Sequence, residues 1–218
     1  MAPAEPAEPP VRGRFVSFEG GEGAGKSTQV TRLAARLAGC NVETVATREP
    51  GGTPGAEAIR DLLVGGAVDR WTPISEAFLH IAARTDHAER VIRPALARGA
   101  WVLSDRFLDS TRVYQGLAGK LGLDTVDRLH EVALGGLRPD LTLLLDLPVA
   151  VGLARRRGTA SGDRYERMGT RFHEQVRQGF LDLAAAEPAR FRVIDAQRGV
   201  AEVEQSVWAA VAARFDLS

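Results

Sequence analysis

Short apolar runs alternate along the chain with longer stretches of helical spacing. Phe15-Val16-Ser17-Phe18 predicts a strand, and Val30, Leu33, Ala34 and Leu37 mark one helix face over residues 28–37. Val42 to Thr47 predicts a second strand. Residues 48–55 (Arg-Glu-Pro-Gly-Gly-Thr-Pro-Gly) hold too much Pro and Gly for regular structure and predict a loop, with a short helix over 56–64 after it. Thr72-Pro73 predicts a helix start, capped by Thr72 with Pro73 in the first turn, running to about residue 97. Residues 101–104 form a short apolar strand ending in Asp105-Arg106, and helices are expected over about 108–118 and 124–134. Leu141 to Asp146 is a nearly unbroken apolar run, as in a parallel strand covered on both faces. A helix over 149–157, a Gly/Ser break over 158–162, a long helix over 165–187 stopped by Pro188, a strand over 191–195 and a helix over 200–215 complete the pattern.

Five strands alternating with helices through long crossovers predict a three-layer α/β/α domain with a five-stranded parallel sheet. Ligands then sit at the C-terminal strand ends. Each predicted strand ends in polar residues: Glu19, Thr47-Arg48-Glu49, Asp105-Arg106, Asp146 and Asp195. No internal repeat appears. Residues 1–12, rich in Pro, Ala and Glu, read as a disordered tail without the basic start and apolar core of a signal peptide, leaving 13–218 as one domain.

Composition narrows the classes of function. The 218 residues suffice for one well-buried domain. Net charge is zero, so nothing points to a duplex nucleic-acid binder. Cys40 is the single cysteine, which excludes an intrachain disulfide and a thiolate metal site and points to a reduced, cytoplasmic setting. No run approaches the ~18 apolar residues of a membrane span. Positive charge is almost all arginine, the two lysines being Lys26 and Lys120.

One of those lysines lies in the most informative segment. Gly20-x4-Gly25-Lys26-Ser27 fits the phosphate-binding loop pattern in full, between a predicted strand and a predicted helix. In such a loop, Gly20, Gly21, Glu22, Gly23, Ala24 and Gly25 and the helix start at Lys26, Ser27 and Thr28 surround an anion with backbone N–H groups. Lys26 reaches the outer phosphates and the Ser27 hydroxyl holds Mg2+. Asp105, at the end of the 101–104 strand, stands where such nucleotide-binding folds keep an acidic residue near Mg2+, and Arg106 beside it suits bidentate contact with a phosphate. Arg155, Arg156 and Arg157, the break over 158–162 and Asp163-Arg164 read as an arginine-bearing lid over about 155–165. His87, His130 and His173 show no metal-ligand spacing and read as surface residues.

Several motifs in order make the chain resemble the thymidylate kinase family: FEGGEGAGKST (18–28), TREPGGTPGAEAIRDLL (47–63), AAR (82–84), RPAL (93–96), SDRFLDSTRVYQG (104–116), PDLTLLLDLP (139–148) and DRYE (163–166). The resemblance covers residues 14 to about 213. It implies a P-loop fold of the nucleoside monophosphate kinase type, ATP as donor with Mg2+, dTMP as acceptor and a homodimer. Arg106 matches the arginine on the acceptor phosphate. Arg84 matches one holding the monophosphate or base, Thr111 a polar residue at the thymine edge, and Tyr114 a tyrosine beneath the deoxyribose. Glu22 matches a carboxylate near the sugar 3′-hydroxyl, and Arg48, Pro50 and Gln115 fall in the acceptor motifs. The phosphate loop carries no basic residue before Lys26, and Arg155, Arg157 and Arg164 give the bacterial lid-arginine pattern. One departure stands out: four residues before Arg84, where many members place a Phe stacked on thymine, this chain has His80, with Phe78 nearby as the other aromatic candidate.

The expected reaction is in-line γ-phosphoryl transfer from Mg·ATP to dTMP, with positioning and charge neutralisation as the means of catalysis. A kinase of another nucleotide or of another small acceptor would keep the phosphate loop and lose the Thr111–Tyr114 spacing. A GTPase-like switch would need an Asn-Lys-x-Asp motif, which the sequence lacks.

Overall fold

The structure is a computed structural model that describes residues 12–156 and 163–217. Its sheet has five parallel strands in the order β2-β3-β1-β4-β5, formed by β1 (Phe15–Glu19), β2 (Thr44–Arg48), β3 (Trp101–Asp105), β4 (Leu141–Asp146) and β5 (Phe191–Asp195). β1 lies at the centre, with Phe18 opposite Asp105 of β3 and Glu19 opposite Leu144 of β4. The chain direction changes side at β1, so the loop after it opens into the crevice where ligands of such sheets bind.

Alternation along the strands sends side chains to two different layers. Val16 and Phe18, Leu103, and Leu141, Leu143 and Leu145 pack with Val30, Leu33 and Leu37 of α1 (Lys26–Gly39) and Val203, Val207 and Val211 of α9 (Val200–Phe215). The opposite face is covered by α4 (Arg93–Ala97), α6 (Leu123–Leu134) and α8 (Thr170–Ala186), around Phe15, Val102, Phe107 and Leu144. Its centre carries polar groups: Ser17 Oγ lies 3.0 Å from Thr142 Oγ1, and Asp109 is fully buried between Arg190 and Arg112. Burying ions costs several kcal/mol each unless they are paired, and this cluster pairs them.

Four differences from the sequence expectation have local causes. The helix predicted over 73–97 is α3 (Pro73–His87), a π-helical turn (Ala88–Ile92) and α4. Pro94 has no N–H and crowds the preceding turn, which the wider π spacing relieves. The 108–118 segment is a short α5 (Leu108–Thr111) followed by a π-helical stretch (Arg112–Ala118), in which Tyr114 and Gln115 lie. The helix predicted from 165 starts at Thr170, because Asp163 Oδ1 accepts the N–H groups of Tyr165 and Glu166 and holds them in a turn. His87, His130 and His173 are buried rather than on the surface, with relative exposures of 0%, 0% and 3%. His87 is held between Glu49 Oε1 (2.9 Å) and Thr47 Oγ1 (2.7 Å), and His130 meets the Leu137 carbonyl at 2.6 Å. The expected helix over 149–157 is α7 (Val149–Arg156) within the described residues, while tail residues 1–11, Arg157 and the 158–162 break lie outside them.

α7 backs the loop after β1. A Cβ on Gly152 would stand 2.2 Å from the Glu22 carbonyl oxygen, and one on Gly23 would stand 2.2 Å from the Gly152 carbonyl oxygen. Two backbones therefore touch where no side chain fits. Gly152→Ala should lower the unfolding free energy by about 1–3 kcal/mol, the range for overpacking a closed site, measured by urea denaturation. An unchanged midpoint would mean that the loop and α7 are not in contact.

Candidate active site

The loop from Gly20 to Gly25 joins β1 to α1. Gly25 has φ 87°, a left-handed backbone that glycine adopts without a Cβ clash, and no side chain caps α1. The first-turn N–H groups of α1 thus remain available, with the positive end of its dipole, to an anion at Lys26, Ser27 and Thr28. Lys26 is buried, and its Nζ donates to the carbonyl oxygens of Gly20 (3.1 Å) and Gly21 (2.9 Å). Burial, reinforced by Arg106, lowers its pKa. Ser27 Oγ donates to Asp105 Oδ2 at 2.6 Å, joining the helix start to the end of β3.

Arg106 follows β3 with φ 70°, a strained backbone for a residue with a side chain. Hydrogen bonds on both sides hold it there. Its N–H donates to the Phe18 carbonyl at 2.9 Å. Its carbonyl accepts from Ser104 Oγ at 2.7 Å, and the next N–H, of Phe107, donates to Glu19 Oε1 at 2.8 Å. Ser110 adds its N–H to Glu19 Oε1 and its hydroxyl to Glu19 Oε2. The guanidinium of Arg106 reaches the Gly20 carbonyl (3.1 Å), Ser110 Oγ (3.0 Å), Glu22 Oε1 (2.7 Å) and Tyr114 Oη (3.3 Å).

Charge in this region is balanced at short range. Burial alone would raise the Glu22 carboxyl, but Arg106 and Lys26 hold it down to about 2. Burial works against the Arg106 charge too, and is outweighed by Tyr114, Glu22, Asp105 and Glu19. Glu19 goes the other way: burial, with Asp109 nearby, pushes it up to about 7.

Glu22, Lys26, Asp105, Arg106, Ser110 and Tyr114 share a cleft of about 440 Å³, with Glu19 buried behind it. Of the residues selected from sequence, Glu22, Gly23, Ala24, Gly25, Lys26, Ser27, Thr28, Arg48, Pro50, His80, Asp105, Arg106, Tyr114, Gln115 and Arg155 line it. Phe78 does not: it stands 55% exposed on α3. Arg84 and Thr111 lie beneath the wall and touch each other, Arg84 Nη2 donating to Thr111 Oγ1 at 3.0 Å and its Nε to Glu49 Oε2 at 2.6 Å. Arg164, expected among the lid cations, is instead fully buried. It donates to the carbonyls of Leu63 and Val68, each at 3.0 Å, and to Glu76 Oε1 at 2.6 Å. These donors hold the stretch from α2 (Pro54–Val64) toward α3, and Arg164 is not among the residues lining the cleft.

Arg156 and Asp163 of the expected lid segment also line the cleft, as do Glu49, named from sequence only as a strand-end residue, and Arg60, Val64, Ser110 and Tyr165, which had no assigned role. Arg60 and Tyr165 stand inside motifs already conspicuous there, and that position was the available signal. Arg155 Nη1 donates to the Ala196 carbonyl at 3.2 Å, and Arg156 pairs with Glu166. His80 Nε2 lies 2.9 Å from Tyr165 Oη. Burial first, then Arg84, Arg164, Arg106 and Arg60, press its pKa down to about 3, so its imidazole is neutral near pH 7.

Comparison with known proteins gives a consistent result. The family model described as thymidylate kinase matches residues 18–207. The thymidylate kinase of Caulobacter vibrioides is 54% identical over 207 residues, covering 95% of this chain and 100% of that protein. The thymidylate kinase of Afipia carboxidovorans is 51% identical, covering 91% of this chain and 89% of that protein. The crystal structure of the thymidylate kinase from Ehrlichia chaffeensis superposes with a TM-score of 0.74 at 31% identity, covering 92% of this chain and 99% of that one.

The depressed pKa of His80 has a stability consequence with a definite sign. The unfolded chain binds a proton at His80 below about pH 6.5, whereas the folded chain does so only near 3. Stability therefore falls as pH drops through that window, by up to about 1.4 kcal/mol per pH unit from this group. His80→Phe should remove that slope, so the variant gains on the parent as pH falls from 7 to 5 in urea titrations. Parallel pH dependences would show that the imidazole is not desolvated.

Proposed function

The chain belongs to the thymidylate kinase family, and on that premise we propose that it transfers the γ-phosphoryl group of ATP to dTMP, giving dTDP and ADP on the route to dTTP. The observation that carries this reading is the meeting of phosphate loop, Arg106 and a wall of His80, Tyr114 and Gln115 in one cleft. The α1 N-terminus and Lys26 receive the donor phosphates at one end. Arg106 receives the acceptor phosphate between them and that wall, where its guanidinium already meets carbonyl and carboxylate oxygens. Both substrates are anions and the attacking oxygen is already charged, so alignment and neutralisation accelerate the reaction without a strong base.

Each remaining side chain has a part in this reading. Tyr114, bonded to Glu22 at 3.1 Å, forms the floor under the deoxyribose, and Glu22 meets the 3′-hydroxyl. Arg48 and Pro50 close one side. Two buried polar atoms without a protein partner among the described residues, Arg84 Nη1 and Gln115 Oε1, suit the carbonyl and N–H edge of thymine. His80 stacks on the base in place of Phe78, which points away. Arg155, and Arg157 outside the described residues, supply charge to the transferring group, while Arg164 holds the base of the lid through Leu63, Val68 and Glu76.

Ser27 and Asp105 fit Mg2+. They offer a hydroxyl and a carboxylate oxygen 2.6 Å apart at the loop, and Mg2+ favours one or two such oxygens plus substrate phosphates. When bound, the ion neutralises charge on the ATP phosphates. No helix among the described residues is long and apolar enough to cross a membrane, and a cytoplasmic enzyme is proposed. A homodimer through α3 is also proposed, because Ile74 and Phe78, one turn apart, are 37% and 55% exposed.

ADP release with Mg·ATP and dTMP, dUMP, dCMP, UMP or AMP tests the assignment. Turnover should be far highest with dTMP, and preference for another acceptor would overturn it. Arg155→Ala should lower kcat by roughly a hundredfold, as for loss of one donor to developing charge, with little change in KM for dTMP. Equal kcat would remove Arg155 from the reaction. Phe78→Asp should sediment as a monomer, and an unchanged sedimentation coefficient would exclude that dimer face.

A further inference from the structure

One carboxylate behind the cleft wall organises more polar partners than its position requires. Glu76, in the first turn of α3, is 6% exposed. Its Oε1 accepts from Arg164 Nη2 (2.6 Å), from Gln115 Nε2 (3.0 Å) and from the Tyr165 hydroxyl. Tyr165 Oη in turn meets His80 Nε2 at 2.9 Å. Gln115, His80 and Tyr165 all line the cleft.

An ionised carboxylate only accepts hydrogen bonds, and that fixes the direction of every bond in the set. Gln115 must turn its NH2 group toward Glu76, because its carbonyl oxygen would be repelled there. Its Oε1 is then left buried and without a protein partner among the described residues. Tyr165 must spend its only proton on Glu76. Burial, together with Glu76, keeps that phenol protonated. Its oxygen can then only accept from His80, which sets the Nε2–H tautomer and leaves Nδ1 as a bare acceptor with no partner among the described residues. One buried acid outside the cleft lining thus leaves Gln115 Oε1 as the acceptor facing the base and sets the tautomer of the stacked His80 ring.

We propose that Glu76 is a positioning residue that sets the hydrogen-bond polarity of the acceptor-base subsite, so that it selects a base presenting a ring N–H, as thymine and uracil do, over one presenting a ring nitrogen acceptor, as cytosine does. The proposal rests on the thymidylate kinase reading for the place of the base. Arg164 and Tyr165 extend the same acid to the base of the lid, so subsite polarity and lid anchorage share one charge.

Arg164, Gln115 and Tyr165 all meet the same Glu76 oxygen, so Glu76→Ala, which removes that acceptor, frees the Gln115 amide to turn its NH2 group toward the base. The measurement is kcat/KM for dTMP, dUMP and dCMP, with KM for ATP alongside. The ratio of dTMP to dCMP should narrow by at least about tenfold, the scale of leaving one buried polar group mispaired, while KM for ATP stays unchanged. An equal loss for all acceptors, or no change in the ratio, would overturn the proposal. Should Glu76→Ala fail to fold, nitrogen-15 NMR of the unmodified protein reads the same logic directly. His80 should show a protonated Nε2 and a bare Nδ1 at pH 7, and an imidazolium or an Nδ1–H tautomer would overturn it. The two readings fail separately. Lack of turnover with dTMP in the unmodified protein strikes the acceptor assignment, whereas the His80 tautomer and the imide-to-amide preference judge Glu76.

Discussion

The peptide between Arg106 and Phe107 is the point on which the site depends. Arg106 adopts a left-handed backbone at φ 70°, which costs on the order of 1–3 kcal/mol and persists only where neighbours over-determine it. Ser104 holds the carbonyl, Glu19 holds the following N–H, and Phe18 holds the preceding one. All three come from β1 and β3, so the guanidinium is aimed by the sheet itself. A rotation of that one peptide would redirect Arg106 away from Gly20 and Glu22. It would also release Ser110, which bridges Glu19 and Arg106.

The same strand ends solve an electrostatic problem. A site for two polyanions needs concentrated positive charge, yet a folded protein tolerates buried cations only when they are paired. Lys26 rests on two carbonyls, and Arg106 on one carbonyl and the Glu22 carboxylate. These partners are weaker bases than a phosphate oxygen dianion, so the cations are stabilised without being sequestered. Glu22 remains ionised down to about pH 2 because the cations around it outweigh its burial.

The fold and much of the site were legible because their signals are local. The phosphate loop, the Asp105-Arg106 pair and the Pro/Gly loop over 48–55 each encode geometry within a few residues, and parallel strands announce themselves as apolar runs. What escaped depends on burial, which no local pattern reports. Arg164 looked like a lid cation because arginine beside a Gly-rich break usually faces solvent; carbonyls of Leu63 and Val68, about a hundred residues earlier in the chain, claim it instead. His87, His130 and His173 had no spacing to mark them, yet each is enclosed by residues from another element. Glu76 was one acid among many on an amphipathic helix. His80 was found only as a departure from a family pattern, and its neutral state follows from burial first and then from four arginines, three of which lie far from it in sequence.

The contact of Gly23 with Gly152 carries a further consequence. Gly152 lies in the middle of α7, and Arg155 follows it by three residues, about 4.5 Å of rigid helix. Arg155 also lies 3.5 Å from the Gly23 carbonyl, so the helix meets the loop twice. The loop after β1 and Arg155 are therefore joined through α7, and a shift of one is passed on to the other.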